Sequence, residues 1–539
     1  MNIIKRISDA LKFDEGDDRF ELLEAEKGEP KLLGKWRDVP EKRRRTDDKL
    51  SSSLAKNEKR LRSVFDPEIN TDLIIRRFRT GCGTEAMLVY MNGMAKDETI
   101  SRFIMEPLMS CTEDGGGDIG YILSCLVRIP ESTAVKRVDE IAEAVSDGKT
   151  ALFIDGERGA AVLETRGYEK RGVEATENEK IVLGPKEGFT ESLRTNITLI
   201  RRIIRTNDLV VRYFRTGGEN NTSLALVYRK GITSPSLIAE IASRIELMKG
   251  KLIVSTGVIE QLIEDDSISP LPQSLSTERP DRVSSFIMEG ACAVISEGSP
   301  YALVLPATVS ALLSSPEDTY MRRPLGSVLR LVRYIGAAAS ILLPGYFVAL
   351  AMYHQGLLST EVLSTVIKSR EMVFEPLPFE MLLLLFIFQL IREAGMRVPS
   401  SVGQAIGVIG GLILGQAAVA ANLASTVILI IVAISGLGNL CIPDYSTQVA
   451  AAYFRFAFVL AAWLGGLLGL TCAVMLFVSY MANLKSFGVP FLAPFAPKTG
   501  KKRPFIVRGR ITQHTRAEDY YNTADDSRLR TEKEGENTV

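Results

Sequence analysis

Two loops contain residue types that could bind phosphate, and both fail on spacing or context. Gly115, Gly117 and Gly120 fit the G-x-G-x-x-G pattern, in which glycines let a backbone approach a dinucleotide. The residues before them, MSCTED, do not read as a strand, and no βαβ unit follows. The segment 147–150 ends like a Walker A loop, but Glu143 stands where the first glycine is required. We predict ordinary loops and no nucleotide site.

Residues that bind metals or act as nucleophiles are few. The only histidines in the sequence are His354 and His514, and no cysteines form a CxxC pair, which leaves little material for zinc. No nucleophile–base set is present, so we predict no enzymatic activity and no cofactor. We expect thiols in a reducing compartment for the six cysteines, Cys82, Cys111, Cys125, Cys292, Cys441 and Cys472.

Charged residues are distributed unevenly along the 539-residue chain. The 65 basic and 65 acidic residues are concentrated before Pro324 and after Lys498, with about 170 weakly charged residues between them. The balanced total gives no reason to expect nucleic acid. The segment 1–18 has no apolar core of a secretory signal, so we expect internal apolar segments to direct insertion into a lipid bilayer.

The first half of the chain repeats itself. The segment 72–94 aligns with 208–232, and 147–164 aligns with 289–306, each pair offset by about 140 residues. Alternating apolar runs within each copy predict strands, and Gly156 and Gly298 predict tight hairpins. The sequence therefore predicts tandem duplicated soluble lobes of the α+β or α/β class, followed by an all-α polytopic transmembrane helix bundle.

These patterns divide the chain into six regions. The predicted regions are a charged, partly disordered arm (1–70), a first lobe (71–180), an inter-lobe linker helix (181–206), a second lobe (207–320), a transmembrane domain (321–485) and a cytoplasmic tail (486–539).

The transmembrane domain contains five apolar runs. Four of them, 328–351, 378–391, 402–421 and 424–442, approach the roughly 20 residues that cross a bilayer. The fifth, 449–483, is too long for one span, and the Gly465–Gly466 pair can divide it, so we count five or six helices. Basic residues cluster before the first run and after the last, which places both termini in the cytoplasm and favours six.

One run has a glycine stripe. Gly403, Gly407, Gly411 and Gly415 recur at every fourth residue of 402–421, so one helix face can approach another backbone closely. The helix either packs within the bundle or lines a pore in a ring of copies. Gln404 and Gln416 on the same run are amides that need partners or water at membrane depth.

Other polar groups in the apolar runs are sparse. Arg330 and Arg333 are expected to extend to the cytoplasmic face. Besides Gln389, the second run contains Arg392 and Glu393, which are expected to cap the helix or pair with each other. Because no series of carboxylates crosses the bundle, a channel or an assembly partner fits better than a proton-driven pump.

Six phrases identify a family resemblance. The chain resembles the A subunits of GerA-type spore germination receptors, in the GerA/SpoVAF family, from about residue 65 to about residue 500. The phrases are GPKEGFTESLRTNI (184–197), ERPD (278–281), EGACAVISEGSPYALVLP (289–306), SPEDTY (315–320), LIREAGMRVPSSVGQAIGVIGGLILGQAAV (390–419) and FGVPFLAPFAP (487–497).

The resemblance implies a location, partners and a function. It places the protein in the inner spore membrane of an endospore-forming bacterium, with the lobes facing the spore core. It implies a transporter-like B subunit, a lipoprotein C subunit and a homo-oligomer, expected to be a pentamer. That assembly would be an ion channel that opens when nutrient binds.

The resemblance also assigns mostly structural roles to matching residues. The inter-lobe motif would set the angle between the lobes and relay a signal. Its matching residues are Gly184, Pro185, Glu187, Gly188, Phe189 and Arg194. In the membrane part they are Arg392, Glu393, Gly395, Pro399, Gly411, Gly415, Gln416, Pro443 and Pro490.

Two departures keep alternatives open. Gln389 and Leu385 stand where the resemblance leads us to expect carboxylates. The alternatives to a receptor channel are an accessory SpoVAF-like protein that amplifies ion release, and a membrane scaffold without conductance. The nutrient and the ion are not specified by these residues.

Overall fold

The computed structural model describes residues 49–67, 69–111, 118–167, 176, 178–216, 221–248, 250–397, 415–496 and Tyr521. The first half contains two antiparallel sheets with helices on both faces. The second half is helical. The chain is thus a mixed α/β region followed by a helical region with long apolar helices.

The first sheet contains five antiparallel strands in the order β1-β2-β4-β5-β3. Its strands are β1 (Leu73–Arg79), β2 (Glu85–Met91), β3 (Ser132–Val135), β4 (Thr150–Ile154) and β5 (Ala160–Leu163). One face is covered by α1 (Leu54–Phe65) and α4 (Val138–Ser146). The other face is covered by two helical segments that include π turns, α2 (Asp97–Ile100, Ser101–Met105 and Glu106–Met109) and α3 (Ile119–Tyr121 and Ile122–Leu126).

Helix α1 lies within the segment that we predicted as an arm. Its Leu54, Leu61 and Phe65 are buried against Met87 and the rest of the first core. Apolar spacing along a helix face explains this packing. The rest of the predicted arm, before residue 49, lies outside the described residues.

The second sheet has the corresponding order β6-β7-β9-β10-β8, again antiparallel throughout. Its strands are β6 (Leu209–Thr216), β7 (Thr222–Arg229), β8 (Leu275–Thr277), β9 (Cys292–Ser296) and β10 (Ala302–Leu305). On one face lie α6 (Pro235–Leu247) and α7 (Thr256–Ile263). On the other lie α5 (Leu193–Ile203) and α8 (Pro280–Glu289).

The two predicted hairpins are confirmed. Gly156 has φ +93 between β4 and β5, and Gly298 has φ +79 between β9 and β10, values that glycine adopts without a steric penalty. Because neighbouring strands are antiparallel, the lobes are of the α+β kind. Successive side chains alternate between the two faces, so Leu224 and Ala225 enter different cores.

Two short helices, α9 (Val309–Leu312) and α10 (Glu317–Tyr320), lead into the helical region. It contains α11 (Arg323–Tyr353), a 3-10 turn (Gln355–Leu357), α12 (Thr360–Arg370), α13 (Leu377–Met396), α14 (Thr426–Leu440) and α15 (Tyr445–Asn483). Among the described residues, α11 and α15 are long and apolar enough to cross a membrane, and α14 is apolar but shorter. Of the predicted run 402–421, residues 402–414 lie outside the described residues.

Helix α15 is bent back on itself. Gly466 has φ 59 and ψ −140, which interrupts the helix at the predicted glycine pair. The rings of Phe454 and Phe477 are 4.5 Å apart, whereas a straight helix would separate residues 23 positions apart by about 35 Å. The segments 445–465 and 467–483 therefore form an antiparallel hairpin, each about 25–31 Å long.

The chain leaves the second lobe before α11 and returns to it after α15. A short hairpin, β11 (Lys485–Ser486) and β12 (Val489–Pro490), packs onto the lobe, and Val489, Phe491 and Ala493 join its core. The Ser486 Oγ accepts from the Ala307 N–H at 3.0 Å, and the Val309 N–H donates to the Phe491 carbonyl at 2.9 Å. Both ends of the helical region therefore lie on the side of the lobes.

We expect Gly466→Ala to destabilise the α15 hairpin by about 1–3 kcal/mol, because alanine tolerates this backbone conformation poorly. A Cβ at Gly466 would also lie 3.1 Å from Tyr353 and His354. The measurement is thermal unfolding of the full chain in detergent. Gly465→Ala is the matched control, since a Cβ there meets no atom within 4 Å among the described residues. Equal unfolding temperatures for the two variants would contradict the bend.

Candidate functional site

The inter-lobe motif lies along the second lobe, at the start of α8. Gly184 has φ +124, and a Cβ there would lie 2.7 Å from the Tyr320 ring. The buried Arg279 donates to the Pro185 carbonyl at 2.7 Å, and the buried Phe189 donates its N–H to the Glu278 carbonyl at 2.8 Å. The motif is thus fixed to the ERPD phrase by one side-chain and one backbone hydrogen bond.

The other motif residues point toward α5 and the first lobe. Glu187 pairs with Arg202 of α5 at 3.2 Å, and Gly188 is buried beside Phe189. Arg194 reaches across to Asp97 of the first lobe at 3.1 Å, with both side chains more than half exposed. The structure brings these residues to one junction, where α5 lies between the two lobes.

The strongest contact between the lobes is a buried ion pair that our sequence reasoning missed. Arg201 Nε lies 2.5 Å from Asp72 Oδ2, and the two side chains are 1% and 0% exposed. Arg201 also donates to Asn70 Oδ1 at 3.3 Å, and Asn70 Oδ1 accepts from the Val211 N–H of β6 at 3.2 Å. The sequence offered no signal for this pair, because each residue resembles an ordinary charged residue there.

The SPEDTY phrase connects this junction to the first long helix. The buried carboxylate of Asp318 accepts from Arg330 at 3.0 Å and from Arg333 at 2.8 Å. Its neighbour Glu317 accepts from the Val182 N–H at 2.6 Å, and Tyr320 donates to Asp281 at 2.6 Å. Both arginines, which we expected to extend to the cytoplasmic face, are thus held by a carboxylate of the segment that precedes α11.

The Glu179 carboxylate lies next to this junction, with most of its side chain buried. Glu179 accepts from Arg282 at 3.1 Å, and Arg282 also donates to the Ser314 carbonyl at 2.8 Å. Burial raises the pKa of Glu179, while Arg282 partly opposes that shift. The segment 178–189, the start of α8 and the segment 314–320 thus form one hydrogen-bonded unit.

A second contact region joins the lobe to the returning chain. The Phe487 N–H donates to Asp265 at 2.7 Å, and the Arg244 guanidinium lies 4.5 Å from the Phe487 ring centre. Next to Asp265, Glu264 accepts from the Gln273 N–H at 2.8 Å, and burial raises its pKa to about 7. This region contains a carboxyl group that changes charge near neutral pH.

The proposed pore residues are only partly described. Gln404, Gly407 and Gly411 lie outside the described residues. A Cβ at Gly415 would make an ordinary van der Waals contact with the Leu429 side chain at 3.5 Å, and Gln416 is exposed.

Arg392 and Glu393 do not pair with each other. Arg392 donates to Gln448, and Glu393 pairs with Arg397 at 2.6 Å. Adjacent helical residues face different directions, whereas residues four apart share a face, which explains this choice of partners. Gln389 lies one turn before Glu393, and its buried Oε1 has no hydrogen-bond partner among the described residues.

A polar chain crosses the interior of the helical region. The fully buried Arg455 donates to the Ser435 hydroxyl at 3.1 Å, and Ser435 donates to the Ser340 carbonyl at 2.8 Å. Ser340 in turn lies 3.4 Å from Asn439 Oδ1. Small polar residues in apolar helices gave no sequence signal, because they are common there for packing alone.

Within the described ranges, no cluster of three or more potential ligands could hold a metal ion. The Walker-like residues 147–150 form the turn from α4 into β4, and Gly148 there has φ +91. A phosphate loop runs from a strand into a helix, which is the opposite order. Of the other glycine pattern, Gly120 lies in α3, and Gly115 and Gly117 lie outside the described residues.

Comparisons with known proteins cover most of the chain. The model of the family described as Bacillus/Clostridium GerA spore germination protein matches residues 59–520. Spore germination protein KA of Bacillus subtilis (strain 168) is 33% identical over 451 residues, covering 83% of this chain and 82% of that protein. The uncharacterized membrane protein YfkQ of the same organism is 31% identical over 453 residues, covering 84% of this chain and 88% of its own.

A solved structure also matches in part. It is the crystal structure of the N-terminal domain of the A subunit of the Bacillus megaterium spore germinant receptor GerK3. The match covers 48% of this chain and 97% of that one, at 24% identity and a TM-score of 0.36, which is too low to support a shared fold.

We expect Arg201→Met to destabilise the protein by about 3–5 kcal/mol, because it leaves the Asp72 carboxylate buried without its cation. Arg194→Met removes an exposed pair and is the control, with an expected cost of about 0–1 kcal/mol. The measurement is chemical unfolding of the full chain in detergent. The double variant Arg201→Met/Asp72→Leu should be more stable than Arg201→Met alone, and a less stable double variant would contradict this account.

We expect Glu264 to make stability depend on pH. Its raised pKa means that the folded protein holds this proton more tightly than the unfolded chain does. The free energy of unfolding should therefore fall as pH rises from the ordinary value of 4.5 to about 7, and then level off. Glu264→Gln should remove this part of the slope, measured as the unfolding temperature of variant against wild type at each pH. The exposed Glu140→Gln is the control, and parallel curves for wild type and Glu264→Gln would refute the assignment.

Proposed function

Because the chain belongs to the GerA family of Bacillus and Clostridium spore germination proteins, we propose that it is the A subunit of a nutrient-responsive germination receptor. In this proposal the helical region spans the inner spore membrane, and copies of the chain form an ion channel. A transporter-like B subunit senses the nutrient, and a lipoprotein C subunit completes the receptor. The observation that carries the proposal is the continuous set of contacts from the inter-lobe motif to α11.

The path of the chain supports an even number of membrane crossings. It enters the helical region at Arg323 and returns to the second lobe at residues 484–493. The bend at Gly466 lies at the far end of α11, where the Tyr353 hydroxyl donates to the Trp463 carbonyl at 2.6 Å. The two arms of α15 then count as two crossings. Together with α11, α13, α14 and the apolar run that the sequence predicts at 402–421, they give six membrane crossings.

The charge distribution supports an orientation. Arg322, Arg323, Arg330 and Arg333 lie at the lobe end of α11. The connection at the far end, between α11 and α13, has only Lys368 and Arg370 as basic residues, and Arg370 pairs with the buried Glu380 at 3.1 Å. Basic residues favour the cytoplasmic side, so we place the lobes and both termini in the spore core.

The equal strand orders of the two sheets support a duplication of the soluble lobe. Each copy pairs its strands in the same sequence, and each has a helix just before its first strand. The linker helix α5 belongs to the second core and reaches the first lobe through Arg194 and Arg201. A rotation of one lobe against the other would act on the segment 178–189, and through Glu317 and Asp318 on α11.

An accessory role in germination is the second candidate. It is favoured by the similarity to YfkQ, which is named as a membrane protein and not as a germination protein. It is also favoured by Gln389 and Leu385, which replace the carboxylates that we expected. An accessory protein would amplify ion release without a nutrient sensor of its own.

The test of the proposal uses spores that lack the gene and are complemented with wild type or with Asp318→Asn. Asparagine keeps the shape of the buried side chain but removes the charge that holds Arg330 and Arg333. We expect normal protein levels and a several-fold slower nutrient-triggered release of ions, because lobes and helices are uncoupled. Asp139→Asn, which alters an exposed pair with Arg137, is the control and should germinate like wild type.

The outcomes separate the candidates. Complementation by Asp318→Asn with wild-type kinetics would contradict the coupling. Loss of response to one class of nutrient supports a receptor, whereas slower responses to all nutrients support the accessory role. A nutrient-dependent current from the chain reconstituted with B and C subunits is expected for a channel, and its absence would leave a scaffold.

A further inference from the structure

Two cysteines from distant parts of the first lobe lie together. Cys82 is in the turn between β1 and β2, and Cys111 lies two residues after the end of α2. Their sulfur atoms are 2.8 Å apart, and Cys82 Sγ is also 3.6 Å from the Cys111 carbonyl oxygen. This arrangement is independent of the contacts that carry the proposed function.

The backbone holds both cysteines in place. The Gly81 N–H donates to the Leu108 carbonyl at 3.0 Å, which fixes the turn against the end of α2. Gly81 has no room for a side chain, because a Cβ would lie 2.6 Å from the Met109 carbonyl oxygen and would collide with that of Cys111. The turn is closed by the Thr80 N–H, which donates to the Thr84 carbonyl at 2.9 Å. A disulfide bond brings two sulfur atoms to about 2.05 Å, so the 2.8 Å between these two sulfurs leaves only a short approach to complete.

The two thiols differ in access. Cys82 is partly exposed and Cys111 is buried, so a small molecule in solution reaches Cys82 first. The Arg79 guanidinium donates to the Gly83 carbonyl at 2.9 Å, so a cationic side chain lies on the turn that contains Cys82. An accessible thiol beside a buried one matches the arrangement of an attacking and a resolving cysteine.

We propose that Cys82 and Cys111 form a reversible disulfide, a redox-sensitive modification site of the first lobe. The oxidant is a low-molecular-weight disulfide. The Cys82 thiolate attacks one of its sulfurs, releases one small thiol and forms a mixed disulfide. The Cys111 thiolate then attacks Cys82 Sγ and releases the second small thiol. The protein loses two hydrogens, and the small disulfide gains them.

The disulfide would tie the β1–β2 turn to the end of α2. It would close the loop from residue 82 to residue 111 and restrict the unfolded chain. The other cysteines have no comparable arrangement in the described structure. Cys292 is fully buried, and burial raises the pKa of its thiol, while Cys125 is exposed on α3.

The experiment treats the purified full chain in detergent with graded ratios of reduced and oxidised glutathione, followed by an acid quench, alkylation and peptide mass mapping. We expect a linked pair of peptides containing Cys82 and Cys111, two fewer alkylated thiols, and full reversal by dithiothreitol. Cys82→Ser and Cys111→Ser should each abolish the linked species. The control Cys125→Ser should leave it unchanged.

A second measurement does not depend on these variants. Oxidised wild type should show slower hydrogen exchange at residues 80–84 and 108–111 than reduced wild type, and should unfold several degrees higher. A stable glutathione adduct on Cys82, a dimer linked through Cys125, or an unchanged thiol count across the series would each overturn the proposal. Cys82→Ala replaces Cys82→Ser if the serine variant does not fold.

Discussion

The buried carboxylate of Asp318 is the contact on which the arrangement of lobes and helices depends. It receives two guanidinium groups from the first three turns of α11, at the point where the chain leaves the second lobe. A buried carboxylate without these cations would be strongly unfavourable, and so would the arginines without it. The neighbouring Glu317 binds the Val182 backbone just before the inter-lobe motif, and Tyr320 binds Asp281. One short phrase therefore fixes the linker, the second lobe and the first long helix to one another.

The two lobes share a strand order but have different roles in the assembly. The second lobe supplies the contacts to the linker, to α11 and to the returning chain. The first lobe is attached through α5, by the buried pair of Arg201 with Asp72 and the exposed pair of Arg194 with Asp97, and also through β6, where the Val211 backbone bonds to Asn70 and Thr71. The two lobes are therefore joined both by a helix and by an edge strand of the second lobe.

Local signals in the sequence predicted much of the fold. The hairpins at Gly156 and Gly298, the strands of both copies and the bend at Gly466 follow from glycine conformation and apolar period, which neighbouring residues determine. The family phrases predicted the family. The ion pair of Arg201 with Asp72 could not be predicted, because 129 positions separate the two residues and each resembles an ordinary charged residue in the sequence. The packing of Val489 and Phe491 into the second lobe was also missed, since a short apolar segment after the last helix reads equally well as a tail.

The return of residues 484–493 to the second lobe has a consequence for biosynthesis. A ribosome makes the strands of this lobe long before it makes the segment that completes their core, and the entire helical region is translated in between. The lobe therefore reaches its final packing only after the last helix has emerged and the hairpin that follows it has packed onto the lobe. Until that hairpin is made, the apolar surface of the lobe that Val489 and Phe491 cover stays open to solvent.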